Sequence, residues 1–287
     1  MENLKVTIIQ SDLHWENVEA NLAMFSQKID AIAEPTDLII LPEMFNTGFS
    51  MNSEKLAEPM DGKTVSWMKE MASKTNSVIV GSLIIKENSP LEGRLRGVNF
   101  FNRLIWAEPN GKLKHYDKRH LFRMANEHEY FSAGKERLIV EYKGWRICPL
   151  ICYDLRFPVW SRNNIPNPSL REGILSTSRG VGGGSAYDCL IYIANWPEPR
   201  KKHWSKLLEA RAIENQCYVI GVNRIGEDEN DFTFTGNSVV NNFMGEAIAT
   251  TQERVESIQT VVLSKTELEV WCEKFPVSLD GDEFEIK

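Results

Sequence analysis

The sequence has no long apolar run and no excess of basic residues, and each absence excludes a class of function. No stretch of the 287 residues approaches the roughly 18 to 20 apolar residues that a membrane helix needs, so we expect no membrane partner. The 33 basic residues are outnumbered by 40 acidic ones and form no long basic run, which disfavours a nucleic-acid partner. The opening MENLKVTIIQ breaks its apolar stretch at Gln10 and lacks the apolar core of a signal peptide, which predicts a cytoplasmic protein.

Cysteine is scarce as well, and its spacing is irregular. The five cysteines include no C-x-x-C pair, which disfavours a disulfide framework and a structural zinc site. We therefore expect no structural metal. The five residues are Cys148, Cys152, Cys189, Cys217 and Cys272.

Short apolar strands alternate along the chain with amphipathic helices. Apolar residues make up 42% of the sequence, enough for a sizeable buried core. Runs such as DLIILPE are apolar at consecutive positions, as in strands that are buried on both faces. Val18, Leu22, Phe25 and Ile29 recur at steps of three and four and predict a helix. This alternation is typical of an α/β layered domain.

No linker, repeat or change of composition divides the chain, and we expect a single domain over residues 1–287. One segment, at about 165–188, stands apart because it holds two prolines, many Gly and Ser residues and only a brief apolar patch. This composition predicts a long loop, and loops of that length inside a domain are uncommon. An inert surface loop, a lid over a site and an altered contact between subunits are all open alternatives.

Three reactive side chains stand where apolar runs end. Glu43 follows DLIILP, Lys118 follows KHYD, and Cys152 follows RICPLI. In an open α/β sheet the strand ends are where ligands bind, because side chains there are rigidly held and still reachable. Singly, each residue has an ordinary interpretation, since free cysteines are most often small core residues and lone Glu or Lys side chains are usually solvated. Only their combination indicates a site.

The segments LPEMFNTGF, YDKRHLF and ICYDLRFPVW resemble the signature segments of the nitrilase superfamily of carbon-nitrogen hydrolases, in the order expected of that family. The resemblance continues through NEHEYFSAG, ANWPEPRKKHWSKLLEARAIENQ and FTGNSVV, and so covers almost the whole chain. It implies an α/β fold, the four-layer αββα sandwich of the nitrilase type, and a homodimer or higher homo-oligomer formed through the helical face. It also implies a catalytic triad of Glu43, Lys118 and Cys152.

By this resemblance, Cys152 attacks the carbonyl carbon of an amide while Glu43 acts as general base. The Lys118 ammonium and the backbone N–H of Tyr153 hold the oxyanion, and hydrolysis of a thioester then releases the acid. The reaction needs neither a metal nor a cofactor. The family often places a second Glu four positions before an aromatic residue and seven before a Gly. Glu127 fits this spacing and would orient Lys118 or the substrate.

Histidine offers a second mechanism for the same thiol. Cys with His is a common pairing in thiol hydrolases, and both His120 and His128 lie near Lys118 in the sequence. The match of three motifs in order favours the triad over a Cys/His pair.

The motifs look most like those of the ω-amidase branch, whose enzymes hydrolyse the side-chain amide of 2-oxoglutaramate or 2-oxosuccinamate. Such a substrate is a carboxylate, and a buried carboxylate needs cations or N–H groups. The candidate cations are Arg119, Arg156, Arg200 and His203, and the candidate pocket walls are Phe45, Tyr153 and Trp196. Two alternatives stay open: a nitrilase or N-carbamoyl amidase with the same triad, and a catalytically silent binding protein on this fold.

Overall fold

A computed structural model describes residues 3–89, 97–163, 186–280 and 282 of the chain. Within these ranges the secondary structure consists of two six-stranded sheets, a two-stranded hairpin and a set of helices. None of the helices in these ranges is both long and apolar enough to cross a membrane.

The first sheet combines parallel and antiparallel strands. Its strands, in chain order, are β1 (Leu4–Gln10), β2 (Leu38–Ile40), β3 (Val78–Ser89), β4 (Gly97–Ala107), β5 (Leu113–Asp117) and β14 (Ser257–Leu263). Their order in space is β14-β1-β2-β3-β4-β5, with β1, β2 and β3 parallel and the other neighbours antiparallel. Leu38 pairs with Val6 on one side and Val78 on the other, so β2 is a central strand.

The second sheet also combines three parallel strands with antiparallel ones. Its strands are β6 (Val140–Tyr142), β7 (Trp145–Ile151), β8 (Cys189–Ala194), β9 (Tyr218–Asn223), β12 (Val239–Asn241) and β13 (Ala247–Thr250). Their order is β13-β12-β9-β8-β7-β6, and β7, β8 and β9 are parallel. A hairpin of β10 (Ile225–Glu227) and β11 (Thr233–Thr235) follows β9.

Helices cover the outer faces of both sheets. In the described ranges the α-helices are α1 (Val18–Asp30), α2 (Ser53–Leu56), α3 (Lys63–Thr75), α4 (Glu127–Tyr130), α5 (Lys201–Asn215) and α6 (Lys265–Lys274). The helix predicted from the apolar spacing is confirmed as α1, which with α3 buries its apolar face against the first sheet. Helix α5 lies on the second sheet, where Gly221 of β9 leaves room for Trp204 and Leu208.

The main core lies between the two sheets. Val6 and Ile8 of β1 face this core, whereas the neighbouring Ile9 faces the helices, as the alternation of side chains along a strand requires. Trp106 from the first sheet and Trp145 from the second are fully buried there. Burying a large apolar side chain contributes about 1.5–3 kcal/mol, so this layer stabilises the contact between the sheets. The predicted four-layer αββα sandwich is confirmed.

The strand ends bring the predicted site residues to one edge of the sandwich. Glu43 follows β2 by three residues, Lys118 directly follows β5, and Cys152 directly follows β7. Asn195 follows β8, the neighbour of β7. The topology therefore gathers side chains that are distant in the sequence.

Most of the predicted loop at about 165–188 lies outside the described residues. Its last three residues are described, and they are buried rather than part of a surface loop. Tyr187 is held in place by Asn163, whose side-chain oxygen accepts from the Tyr187 backbone N–H at 3.0 Å and whose Nδ2 donates to the Tyr187 carbonyl at 2.8 Å. These three residues have no regular secondary structure, and β8 begins directly after them at Cys189.

Because Asn163 and Tyr187 are hydrogen-bonded to each other, a short turn can join the two sides of this segment. We expect that replacing residues 167–185 with a short Gly-Ser turn leaves the thermal midpoint of unfolding nearly unchanged. Long surface insertions change the closure entropy only slowly, and this sequence offers little apolar surface. Differential scanning calorimetry measures the midpoint. A large fall would mean that the segment is a packed part of the core.

Candidate active site

A buried ammonium forms the centre of the site. Lys118 Nζ donates to Glu43 Oε1 at 2.8 Å and to the two carboxylate oxygens of Glu127 at 2.9 and 3.0 Å. The three side chains are at most 1% exposed. The ring centroid of Phe49 lies 5.0 Å from the ammonium nitrogen, at cation–π distance. The structure thus brings Glu43, Lys118 and Glu127 together as one charge cluster.

Rigid elements position each member of this cluster. Glu43 is held just beyond the buried strand β2, and the Lys118 backbone N–H donates to the Asn102 carbonyl of β4 at 3.0 Å. Glu127 begins the one-turn helix α4, and its Oε2 also accepts from the backbone N–H of Phe122. All three charged groups are therefore held by main-chain structure as well as by one another.

The cluster shifts the pKa values of Lys118 and Glu127. Burial alone lowers the pKa of Lys118, but the charges of Glu127 and Glu43 outweigh burial and hold that pKa above its ordinary value. Burial raises the pKa of Glu127, the Lys118 charge opposes this rise, and the Glu43 charge adds to it. Lys118 therefore stays protonated, and its charge is already balanced by carboxylates.

Gly134 packs against the Lys118 segment, and it can do so because it has no side chain. Its backbone N–H donates to the Lys118 carbonyl at 2.9 Å, and a Cβ at this position would lie 2.0 Å from the Asp117 carbonyl oxygen. Any larger residue would push the Lys118 segment away. Glu129, two residues after Glu127 in α4, is exposed and lies outside the cluster.

Two asparagines complete the cluster, and the sequence analysis missed both. Asn102 Nδ2 donates to Glu43 Oε1 at 2.8 Å and to Glu127 Oε1 at 3.4 Å. Asn195 donates from its backbone N–H to Glu43 Oε2 at 2.8 Å and from Nδ2 to the Glu43 carbonyl at 2.7 Å. Asn102 could have been identified as a polar residue inside the apolar run FFNRLIWA. Asn195 could have been identified because it lies in the motif ANWPEPR.

Cys152 stands at the start of a tight 3₁₀ turn, Cys152–Arg156, that follows β7. Its backbone has φ +44°, a left-handed conformation that costs a non-glycine residue on the order of 1–3 kcal/mol. Burial and then the Glu43 charge raise the pKa of its thiol well above the ordinary value, and the Lys118 charge opposes them only in part. The thiol is therefore protonated near neutral pH in the free protein.

A cavity of about 510 Å³ opens beside Cys152 and Lys118. Four of the seven candidates for substrate contact line it, namely Tyr153, Arg156, Trp196 and Arg200. Asn195 lines it as well. A cavity of this size and lining is suited to a small polar ligand.

The prediction that Phe45 forms a pocket wall is wrong. Phe45 is fully buried beneath α1 and α3, where its ring lies 5.5 Å from that of Phe25 and 5.6 Å from that of Trp67. Gly81 leaves the space for this ring, since a Cβ there would lie 2.7 Å from it. Phe45 therefore supports the core behind Glu43 and does not line the cavity.

Two of the other candidate cations lie outside the cavity wall. Arg119 donates to the Gly134 carbonyl at 3.1 Å and stacks over the Trp160 ring at 5.2 Å. His203 is exposed, and its Nδ1 lies 3.0 Å from Nη2 of Arg156. Both residues therefore support their neighbours rather than face the cavity.

Arg156 and Arg200 carry the positive charge of the cavity wall. The Arg156 guanidinium lies 5.0 Å from the Trp196 ring centroid and the Arg200 guanidinium 5.3 Å from that of Phe122. Burial and then the Arg156 charge lower the pKa of Arg200. Among the residues that the structure describes, neither guanidinium forms an ion pair with a carboxylate. Both guanidinium groups can therefore pair with a carboxylate ligand, in a cavity that Glu16, Asp228 and Glu229 also line.

None of the five histidines lines the cavity. His120 directs Nδ1 to Asp154 at 2.7 Å and stacks on Phe157 with ring centroids 3.7 Å apart. His128 lines a separate depression next to α4. The geometry therefore does not support the Cys/His alternative. In the described ranges, no group of three or more His, Cys, Asp or Glu side chains is arranged to hold a metal ion.

A cysteine beside a carboxylate and an ammonium, at the edge of a cavity, is the arrangement of a hydrolase that uses a thiol nucleophile. The comparison with known proteins agrees with this class. The family model for carbon-nitrogen hydrolase matches residues 5–271, and the chain belongs to that family.

Named relatives match most or all of the chain. The chain is 43% identical over 286 residues to the omega-amidase YafV of Escherichia coli (strain K12), a match that covers 100% of both chains. It is 32% identical over 247 residues to the 2-oxoglutaramate amidase of Bacillus subtilis (strain 168), with 85% of each chain covered. The chain is also similar to the crystal structure of XC1258 from Xanthomonas campestris, a CN-hydrolase superfamily protein with an arsenic adduct in the active site. The two structures superpose with a TM-score of 0.87 at 39% sequence identity, and the match covers 100% of both chains.

The raised pKa of Cys152 predicts how the free protein reacts with an alkylating reagent. Only the thiolate reacts, so the rate of alkylation of Cys152 by iodoacetamide should rise about tenfold per pH unit from about pH 6 to about pH 9, without a plateau. Peptide mass spectrometry follows the label at each cysteine. Cys272→Ala, which removes the other partly exposed thiol, serves as the control and should leave this profile unchanged. A plateau below about pH 7 would mean that Lys118 does stabilise the thiolate.

Proposed function

We propose that this protein is an ω-amidase that hydrolyses the terminal amide of a small 2-oxo acid, of the 2-oxoglutaramate or 2-oxosuccinamate type, to the acid and ammonia. The observation that carries the proposal is one cavity lined by Cys152, by the ammonium of the charge cluster and by two arginines that have no carboxylate partner among the described residues. The relatives named omega-amidase and 2-oxoglutaramate amidase support the substrate class. The proposed catalytic residues are Glu43, Lys118, Glu127 and Cys152.

The first half of the reaction forms a thioester. Cys152 Sγ bonds to the amide carbon while the thiol proton passes to Glu43. Glu43 then gives this proton to the amide nitrogen, the C–N bond breaks, and ammonia leaves. A thiol and an amide have become a thioester and ammonia, and the thiolate never needs to exist free in solution.

The second half restores the thiol. Glu43 takes a proton from a water molecule as the water oxygen bonds to the thioester carbon. The proton returns to Cys152 Sγ as the C–S bond breaks, and the acid is released. Glu43 therefore carries one proton in each half of the reaction.

Lys118 and the backbone N–H of Tyr153 stabilise the oxyanion of each tetrahedral intermediate, and such a donor contributes roughly 3–4 kcal/mol in other hydrolases. In the free protein the three Lys118 contacts all go to carboxylate oxygens. Protonation of Glu43 weakens its hold on Lys118 at the moment when the oxyanion forms. One N–H of Lys118 is then available to the oxyanion, while Glu127 keeps the ammonium in place.

Arg156 and Arg200 bind the substrate carboxylate. Arginine binds carboxylates through charge-assisted hydrogen bonds, and neither guanidinium has a carboxylate partner within the described residues. Tyr153 and Trp196 flank the two arginines and form the walls of the substrate pocket. A carboxylate bound here pairs with the two guanidinium groups.

We further propose that the single domain forms a homodimer through its helical face and works in the cytoplasm. Ile213 of α5 and Met244 are 51% and 40% exposed, and Val270 of α6 is 58% exposed. Exposed apolar residues on one helical layer are typical of an interface. All five cysteines are free thiols, which suits a reducing compartment.

The proposal predicts which substrate is hydrolysed fastest and how loss of the Arg200 charge changes KM. Purified protein should release ammonia faster from 2-oxoglutaramate than from a nitrile or an N-carbamoyl amino acid, and Cys152→Ala should abolish this release.

Arg200→Gln should raise KM for 2-oxoglutaramate roughly tenfold with little change in kcat, because a charge-assisted contact to the carboxylate is lost in ground state and transition state alike. A coupled ammonia assay measures both constants.

Arg254→Gln is the matched control, because Arg254 is an exposed arginine that pairs with Glu198 outside the cavity wall. Its kinetic constants should equal those of the unaltered protein. Faster hydrolysis of the nitrile, or no ammonia from any 2-oxo amide, would contradict the proposed activity. An unchanged KM in Arg200→Gln would contradict only the assignment of the carboxylate contact.

A further inference from the structure

A buried carboxylate outside the cavity connects the two catalytic strand ends. Asp154 is fully buried and does not line the cavity. Its Oδ1 accepts from the backbone N–H of His120 at 3.0 Å and from the ring Nδ1 of His120 at 2.7 Å. Its Oδ2 accepts from the Tyr116 hydroxyl at 2.8 Å and from the backbone N–H of Ile151 at 3.1 Å. Each carboxylate oxygen of Asp154 therefore accepts two hydrogen bonds.

The donors to this carboxylate flank the catalytic residues. Tyr116 and His120 lie two residues before and two residues after Lys118, and Ile151 directly precedes Cys152. One rigid group thus holds both sides of the Lys118 segment and the start of the Cys152 turn. Glu43 also bonds to both segments, but through the side chains of Lys118 and Cys152, whereas Asp154 accepts from backbone N–H groups of His120 and Ile151.

Tyr116 is itself fixed in the orientation that this contact needs. Its hydroxyl oxygen accepts from Trp160 Nε1 at 3.0 Å and from the Arg119 backbone N–H at 3.2 Å, which leaves its proton for Asp154. Burial, together with the Asp154 charge, raises the pKa of Tyr116 well above its ordinary value, so the phenol keeps that proton.

The same carboxylate offsets the strain at the nucleophile. The left-handed backbone of Cys152 persists only if its surroundings hold it. Asp154 does so from both sides, because its side chain binds the Ile151 N–H and its carbonyl accepts from the Phe157 N–H at 3.0 Å. Loss of the side-chain contacts would let the turn relax.

We propose that Asp154 is a positioning residue for hydrolysis at Cys152: its carboxylate fixes the Cys152 sulfur relative to the Lys118 ammonium. It touches no reacting atom and acts through the two segments that it joins. This inference rests on the proposed thioester chemistry, and it goes further by naming the group that sets the geometry of that chemistry.

Asp154→Asn tests the inference with little change of volume. The amide presents one accepting oxygen instead of two, so either the two bonds to His120 or the bonds to Tyr116 and Ile151 are lost. We expect kcat per active site for 2-oxoglutaramate to fall roughly a hundredfold while KM stays within about twofold, as for a small displacement of reacting groups. Active sites are counted as folded chains, from the calorimetric unfolding enthalpy of each variant relative to that of the unaltered protein, so misfolded protein does not enter kcat.

Tyr116→Phe is the milder variant, because it removes one donor and keeps Asp154. Its kcat per active site should fall roughly tenfold, and it decides the question if Asp154→Asn does not fold. The rate constant for alkylation of Cys152 at one pH needs no substrate, and it should change roughly threefold or more in both variants.

Asp188→Asn is the matched control, since Asp188 is another buried aspartate of the second sheet, bonded to Lys265 and the Arg146 backbone N–H away from the cavity. It should lower the thermal midpoint and leave kcat per active site unchanged. An unchanged kcat per active site in both Asp154→Asn and Tyr116→Phe, or a rise in KM alone, would overturn the inference. Failure of the proposed function would already be visible as absent turnover in the unaltered protein.

Discussion

The proposed active site depends on one ammonium that is buried between two carboxylates. Taking Lys118 out of water costs several kcal/mol, and its contacts with Glu43 and Glu127, together with the Phe49 ring, offset that cost. Removing one partner of such a buried group typically destabilises a protein by about 3–5 kcal/mol. Because the three residues come from the ends of β2 and β5 and from α4, their contact also fixes how these segments meet. The amide donors of Asn102 and Asn195 occupy further carboxylate lone pairs.

This cluster determines the state of the nucleophile. An isolated lysine beside a cysteine would favour the thiolate, but the charge of Lys118 is already compensated by Glu127 and Glu43. Burial and the nearest carboxylate therefore keep Cys152 as a thiol until a substrate carbonyl arrives. In the proposed reaction the proton moves between Cys152, Glu43 and the substrate, within a site that has no need of an exposed base.

The sequence could predict the residues at the strand ends but not the bonds between them. Glu43, Lys118 and Cys152 each follow an apolar run, and that pattern with the resemblance was enough to select them. Asn102 and Asn195 were missed because they bind Glu43 from 59 and 152 positions away, which no local pattern reports. The wrong placement of Phe45 has the same origin. The left-handed Met44, with φ +43°, redirects the chain directly before Phe45, and only the packing against Gly81 shows which face that ring takes.

The central claim is that Cys152 becomes the acyl carrier of this cluster, and direct observation of the thioester tests it. Protein mixed with 2-oxoglutaramate, quenched in acid within the first turnover and analysed by peptide mass spectrometry should carry one adduct on the peptide that contains Cys152. Its mass should equal that of the substrate less one ammonia, and the adduct should be absent from Glu43→Gln, because the thiol then has no base to accept its proton. Turnover without any adduct, or an adduct on another residue, would contradict the account.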